Sequence, residues 1–503
     1  MAVELHPLHS DHAVLQRGMP IPVRGTDRPG TVVRVSFGGA NAAGRADRDG
    51  RWVATLPPMS ADALGRTLTV EGTSRVVRKD VLVGDVWLCS GQSNMEWSLG
   101  ACETPDVVRA ADLPLVRHFG VGMRFAAQPQ SSVRGEWRPC TPATAAEFTA
   151  VGFHFARRVA AETGVPIGLL RSAVGGTNIE CWMARETLLG TPALEPFARR
   201  MRESWTRYQA ALAEARPRFD AWSGQARAAQ AAGREIPQPP EWPAFPYGEQ
   251  AFDPRCVTLH NGMIAPLVGY PVRGALWYQG ENNAGNAVDG DQYIEKTKAM
   301  LADWRRWFRR DLPFYFVQLA NWQAPNADPA GGDGWAEFRD AQRRALALPG
   351  TGMAVAADIG DANDIHPRNK EDVGERLALW ALRDVHGRRV VPSGPLLAGW
   401  SVEGDRIRVR FDHAESGLMP GRRPRRGPSL PDPGAPVGHV AVAGADRRWH
   451  WASTRIDGAT LLVWSPAVAR PAAVRYAYAM NPATANLCNR EGLPASPFRT
   501  DRW

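Results

Sequence analysis

The 503-residue chain predicts an α/β protein: a doubly wound, mainly parallel sheet flanked by amino- and carboxy-terminal β-sandwich-like units. Three observations carry this expectation. The length exceeds what one hydrophobic core usually supports, so several units of roughly 100–250 residues are expected. Between residues 81 and 390, apolar strand-like runs alternate with helical periods, which signals helices layered on a parallel sheet. On either side the helical period disappears and short strands dominate.

Residues 1–80 contain the runs Pro22–Arg24, Thr31–Phe37, Arg51–Leu56, Thr67–Val70 and Arg75–Arg78, separated by Gly, Asp and Pro, the texture of a small antiparallel sandwich. Val81–Ser90, rich in Val, Leu and Trp, reads as a buried strand of a parallel sheet. Gly91 permits a tight turn, and Ser93 then falls near the amino end of the helix that follows. Val151–Glu162 has a helical period stopped by Gly164, and Tyr293–Arg309 sets Ile294, Leu301, Trp304 and Phe308 on one face. An insertion at about 197–250 opens with an Ala-, Arg- and Glu-rich helical stretch, Phe197 to about Ala232. It continues in a tail, Ile236–Pro243, that its prolines hold extended. A lid over the site and a passive insertion both fit it. From Val391 strand-like runs return at Arg406–Phe411, Gly438–Ala443, Thr460–Trp464 and Ala473–Tyr478. The expected units are therefore 1–80, 81–390 and 391–503.

Composition narrows the function classes. With 44% hydrophobic and 22% charged residues, this is an ordinary folded chain. It has no run of about 18 apolar residues, so no membrane span is expected. The opening Met1–Pro7 lacks the basic and apolar blocks of a signal peptide, which suggests a cytoplasmic protein or one whose leader has been removed. A net charge of +8 invites a nucleic-acid reading, but only Lys79, Lys296, Lys298 and Lys370 among 60 basic residues are lysines. That skew points to coding bias rather than phosphate binding. The densest cluster, Arg422–Arg426, has no interleaved aromatics and reads as a solvated loop, so no nucleic-acid partner is expected. Six scattered cysteines form no C-x-x-C pair and leave disulfides open. Metal and nucleotide motifs are missing, so no cofactor is expected.

Four segments repeat one arrangement, an apolar strand followed by a small or polar cluster: Gly91–Asn94, Gly175–Asn178, Gln279–Asn283 and Asp358–Pro367. In a doubly wound sheet the carboxyl ends of parallel strands share one edge, where ligands bind. The clusters should therefore converge. Ser93 is the candidate nucleophile, weak until a base takes its proton; a helix cap is its plain structural alternative. His366 is the candidate base, because Pro367 biases it towards an extended loop and carboxylates at Asp358, Asp361 and Asp364 precede it. Backbone N–H groups of Ser93 and Gly176 suit an oxyanion, the latter because a Gly-Gly turn lets the backbone approach closely. Gln279 offers a side-chain amide. Glu281 suits a loop-holding role. Trp97, Trp182 and Trp277 adjoin the motifs and are candidates for stacking on a sugar ring or for packing the core.

The runs Gly91–Glu96, Gly175–Trp182, Trp277–Asn283 and Asp364–Pro367 resemble the sialate O-acetylesterase family of SGNH hydrolases, which are carbohydrate esterases. The resemblance extends to Asp11–Gln16, Asn261–Pro266 and Asn489–Arg499, so it spans nearly the whole chain. It implies an SGNH-like α/β unit in which Ser93 and His366 are nucleophile and base and Gly176 is an oxyanion donor. The chain departs from the superfamily pattern twice. The third block lacks Gly-x-Asn-Asp, so Gln279 or Asn282 takes the donor role, with Gln279 preferred. Asn363 stands three residues before the histidine, where an acid is usual; Asp364 is the first choice for the acid, Asp361 the reserve, and a Ser–His dyad stays open.

The resemblance implies a carboxylic ester hydrolase acting on an O-acetylated mono-, oligo- or polysaccharide, with O-acetylated sialic acid first. Acetylated xylan or xyloglucan is the alternative, and a non-catalytic carbohydrate-binding protein the second. Such substrates imply a periplasmic or secreted location, with a cytoplasmic one left open. Oligomeric state is not legible in the sequence.

Overall fold

The computed structural model describes residues 2–103, 105–244, 246, 257–284 and 290–503. Cys256 and the end of the 197–250 insertion lie outside the described residues. The architecture is mixed α/β, with one large mixed sheet and further antiparallel sheets.

The strand Arg75–Gly91 organises the molecule. Its first residues alternate between exposed and half-buried, whereas from Val81 onward every residue is buried. The sequence explains the change. Arg75-Val-Val-Arg-Lys-Asp80 wets one face of an antiparallel pair with Asp62–Glu71, and Val81–Gly91 is apolar enough to be covered on both faces. Asp80 marks the joint with a backbone φ of 53°. Its carboxylate accepts hydrogen bonds from His12 Nδ1 at 2.7 Å and from Arg117 at 2.9 Å. The expected boundary near residue 80 falls at a bend inside one continuous strand: Val14–Gln16, Val32–Phe37, Ala40–Arg45 and Asp62–Glu71 join the same sheet as the parallel strands, whereas Glu4–Leu5, Ile21–Thr26 and Arg51–Leu56 form a separate antiparallel sheet.

Within that sheet the order is Trp137–Cys140, Leu113–Gly120, Ile167–Ala173, Arg75–Gly91, Gly274–Tyr278, Phe314–Val317, Thr351–Ala354. Only the first of these edges is antiparallel; the remaining neighbours run parallel. Helices cover both faces. Ala150–Thr163 and Lys370–Asp384 pack with Trp87, Leu169, Leu276 and Tyr315 on one side. Gly290–Phe308 and Gly334–Arg344 pack with Leu88, Ala275, Trp277 and Phe314 on the other. The period of two along each strand sends successive side chains into opposite cores.

Register brings the strand ends level. Ser90 pairs with both Ser172 and Trp277, and Gly91 with Ala173 and Tyr278. Gly91 has φ 132°, and a Cβ there would lie 2.1 Å from the Tyr278 carbonyl oxygen, so only glycine lets the chain turn against its neighbour.

The helical part of the insertion is Glu195–Ala231, 37 residues that continue through Pro217. Its tail folds back: Trp222 Nε1 donates to the Pro237 carbonyl at 2.7 Å, and Trp242 packs edge-on to Phe219. Towards the carboxy terminus, Leu396–Glu403, Arg406–Asp412, Thr460–Trp464 and Ser453–Asp457 form one antiparallel sheet. Trp449–Trp451, Val440–Ala443, Ala473–Tyr476 and Phe498–Arg499 form another. The arginine cluster 422–426 is not simply solvated. Arg423 pairs with Asp358 and Asp372, and Arg426 with Glu103 and Glu371. These acids lie on the α/β part, so the cluster clasps it instead of presenting a free basic loop. No helix among the described residues is long and apolar enough to cross a membrane.

Candidate active site

Four loops leave the carboxyl edge of the parallel strands and meet. The first carries Ser93, at the start of the short helix Ser93–Glu96. The loop after Thr351–Ala354 carries His366. Ser93 Oγ and His366 Nε2 lie 2.9 Å apart although 273 positions separate them in the chain. Asp364 sits on the same loop as the histidine. Its Oδ1 accepts from the His366 backbone N–H at 2.8 Å and stands 3.6 Å from Nδ1. The carboxylate therefore braces the loop and faces the imidazole at ion-pair distance, longer than a hydrogen bond.

The other two carboxylates have different places. Asp358 takes both oxygens to Arg376, at 2.6 and 2.8 Å. Asp361 accepts from Asn363 N in a local turn and is exposed.

An aromatic ring covers one face of the imidazole. Trp97 stacks on it with centroids 4.8 Å apart and planes 13° from parallel, and the Arg368 guanidinium lies 4.8 Å from the Trp97 ring centroid. Burial is the first cause lowering the His366 pKa below its usual value; the Lys370 and Arg368 charges lower it further, and Asp364 raises it. A neutral imidazole able to accept a proton is thus favoured near pH 7. Trp182 and Trp277 are buried against each other edge to face, 6.2 Å between centroids, and belong to the core.

At the second loop Gly175 N donates to Glu96 Oε2 at 2.8 Å, and Gly176 has φ 70°. Gly176 is exposed, and a Cβ added there would meet nothing within 4 Å, so space remains beside its backbone. The third loop differs from the sequence expectation. Gln279 is wholly buried, and its Nε2 donates to Thr177 O at 3.1 Å and to Asn283 Oδ1 at 2.7 Å. Its Oε1 accepts from the Tyr293 hydroxyl at 2.9 Å. Both ends of this amide are used in holding two loops together. Asn282 is exposed instead: its backbone N–H donates to Gln92 Oε1 and its Nδ2 to Asn178 Oδ1 at 2.6 Å.

Sequence reasoning gave no role to Asn94 and Lys370, which the fold brings to this place beside Glu281. Asn94 Nδ2 donates to Glu281 Oε1 at 2.5 Å and to the Ile365 carbonyl at 3.1 Å, and Lys370 Nζ donates to Asn94 Oδ1. Glu281 does hold a neighbouring loop. Lys370 carries no local motif and could have been found only through its spacing from His366. A separate cavity of about 730 Å³ is lined by Arg158, Glu371, Glu375, Arg376 and Arg426, whose charges are paired. Neither Ser93 nor His366 lines it.

A serine, a histidine and a glycine turn thus stand together at the carboxyl edge of a parallel α/β sheet, and comparison with known proteins gives the family. The family model for carbohydrate esterases described as sialic acid-specific acetylesterases matches residues 83–213 and 256–383, and the chain belongs to that family. Among curated proteins it is similar to the sialate O-acetylesterase of Rattus norvegicus, 30% identical over 386 residues, covering 69% of this chain and 65% of that protein. The Homo sapiens sialate O-acetylesterase is 28% identical over 378 residues, covering 69% and 62%. The chain thus spans just under two thirds of the length of these relatives. Among solved structures, a carbohydrate acetylesterase from Xanthomonas citri matches with a TM-score of 0.80 and 39% identity, covering 100% of both chains.

Proposed function

We propose that this protein is a serine esterase that removes O-acetyl groups from sugars, with O-acetylated sialic acid as the leading substrate. The observation that carries the reading is the 2.9 Å contact between Ser93 Oγ and His366 Nε2, within the reach a nucleophile and its base require. In this mechanism His366 takes the hydroxyl proton as Ser93 attacks the acetyl carbonyl. The imidazolium then protonates the departing sugar oxygen, and the same ring activates water to release acetate. Asp364 stabilises the imidazolium electrostatically across 3.6 Å.

The developing oxyanion is assigned to the backbone N–H groups of Ser93 and Gly176. Since the Gln279 amide is consumed internally, the Asn282 amide, exposed at the rim, is the better side-chain donor in this reading. Arg368, exposed beside Trp97, supplies a cation for a sugar carboxylate and favours sialate over neutral xylan. Export to the periplasm or medium belongs to the same reading, because host glycans and polymers lie outside the cytoplasm.

The test is acetate release from p-nitrophenyl acetate and, head to head, from O-acetylated sialic acid and acetylated xylo-oligosaccharides. Ser93→Ala should abolish all three, by at least about 10³-fold in kcat. Undiminished turnover in that variant would overturn the mechanism, and faster release from the xylo-oligosaccharides would reassign the substrate.

A further inference from the structure

Behind the serine and histidine lies a buried polar cluster whose members come from three different loops. Asn94, Glu281 and Lys370 are each at most 8% exposed. Asn94 immediately follows the nucleophile, Glu281 lies in the block after Gly274–Tyr278, and Lys370 begins the helix after the histidine loop. The Asn94 carboxamide is fully engaged: its oxygen accepts from Lys370, and its nitrogen donates to Glu281 and to the carbonyl of Ile365, the residue before His366. One side chain therefore links the backbone carrying the nucleophile to the backbone carrying the base.

We propose that Asn94 is a positioning residue that sets the Ser93–His366 geometry, and that the Lys370–Glu281 pair it bridges fixes the charge around the imidazole.

This rests on the esterase reading above. A buried carboxylate and ammonium are costly unless paired and hydrogen-bonded, and this pair is joined through Asn94. Glu281 Oε2 is buried with no hydrogen-bond partner among the described residues, and the Lys370 ammonium lies 5.4 Å from the Tyr278 ring centroid. A network this expensive is out of proportion to a simple loop tie, which an apolar contact would supply. Burial raises the Glu281 pKa, and burial lowers that of Lys370 to about 8, so the lysine is cationic where His366 titrates. The charged groups bearing on His366 are Lys370, Asp364 and Arg368; its other neighbours, Ser93 and Trp97, are neutral. The groups facing Lys370 are Cys102, Glu281, Asp364 and Arg368.

The sign follows directly. Lys370 cation disfavours imidazolium, so replacing it by a neutral residue raises the His366 pKa and moves the acid limb of kcat/KM to higher pH. The experiment measures kcat, KM and the pH profile for p-nitrophenyl acetate in the full chain carrying Asn94→Ala or Lys370→Gln, with Ser93→Ala as the blank and circular dichroism to report folding. Asn94→Ala should lose about 10- to 100-fold in kcat with KM little changed, because positioning matters most in the transition state. Lys370→Gln, which keeps a donor for Asn94, should shift the acid limb upward by about 0.3 to 1 pH unit. A folded Asn94→Ala protein with unaltered kcat, or a folded Lys370→Gln protein with an unmoved acid limb, overturns the proposal; where one variant fails to fold, the other decides. Turnover surviving in Ser93→Ala sinks the esterase reading itself, a distinguishable result.

Discussion

At the scale of single residues, the histidine environment makes the sharpest statement. Burial, Lys370 and Arg368 hold the His366 pKa down while Asp364 raises it, so the neutral, base-competent form persists below the usual histidine range. Activity should therefore fall on acidification with a midpoint below about pH 6.5. Asp364→Asn removes the influence that raises the pKa, which moves that midpoint lower still, opposite in sign to Lys370→Gln. It should also lower kcat by about 10- to 100-fold, less than the ~10⁴-fold seen for a tightly hydrogen-bonded triad aspartate, because the contact here is 3.6 Å. A pH–rate series on the two proteins checks both. Ser93 could be singled out in the sequence because it follows an apolar strand and a glycine turn, and His366 because Pro367 follows it and Asp358, Asp361 and Asp364 precede it on a strand-end loop. Gln279 could not be judged that way: whether an amide is free or consumed depends on Thr177, Asn283 and Tyr293, which local sequence does not bring near it.

At the scale of elements, the active edge depends on strands ending level. The Val81–Gly91 stretch is buried throughout and its last residue abuts Tyr278. Gly91→Ala would place a methyl 2.1 Å from the Tyr278 carbonyl oxygen and force a left-handed φ on a residue with a Cβ. The expected cost is at least about 2 kcal/mol, read as a lower denaturant midpoint, together with loss of acetate release as the Ser93 loop moves. The helices were legible where periodicity was clean. Ala150–Thr163 ends at Gly164 with φ 68°, as its glycine signals. The bend at Asp80 was visible only as a change of texture, since one strand serving an antiparallel and a parallel partner leaves no turn residue behind.

At the scale of the whole molecule, the carboxy-terminal segment is tied to the α/β part by buried charge. Arg339, with 0% exposure, donates to the carbonyls of Leu319 and Ala320 at 2.7 and 2.6 Å and to those of Ala479 and Met480 at 2.7 and 3.0 Å. Arg339→Met should destabilise by about 3 kcal/mol, because buried carbonyls left without donors cost more than the relief of not burying a cation. Chemical denaturation measures this. An unchanged midpoint would mean that water replaces the guanidinium. The clasp of Arg423 and Arg426 on Asp358, Asp372, Glu103 and Glu371 works in the same direction. In sequence that cluster reads as a loop, because its acidic partners lie 50 or more positions away.

By itself the sequence determined the alternation of strand and helix, the glycine turns and the order of the polar blocks, since period and turn chemistry are properties of neighbouring residues. Tertiary structure alone decided which polar groups stand free and which are spent. It buried the Gln279 amide, exposed Asn282, set Asp364 at ion-pair rather than hydrogen-bond distance, and joined Asn94 to Lys370. The physical reason is that hydrogen-bond satisfaction and desolvation are set by partners remote in the chain, and only the register of the parallel sheet brings those partners to one edge.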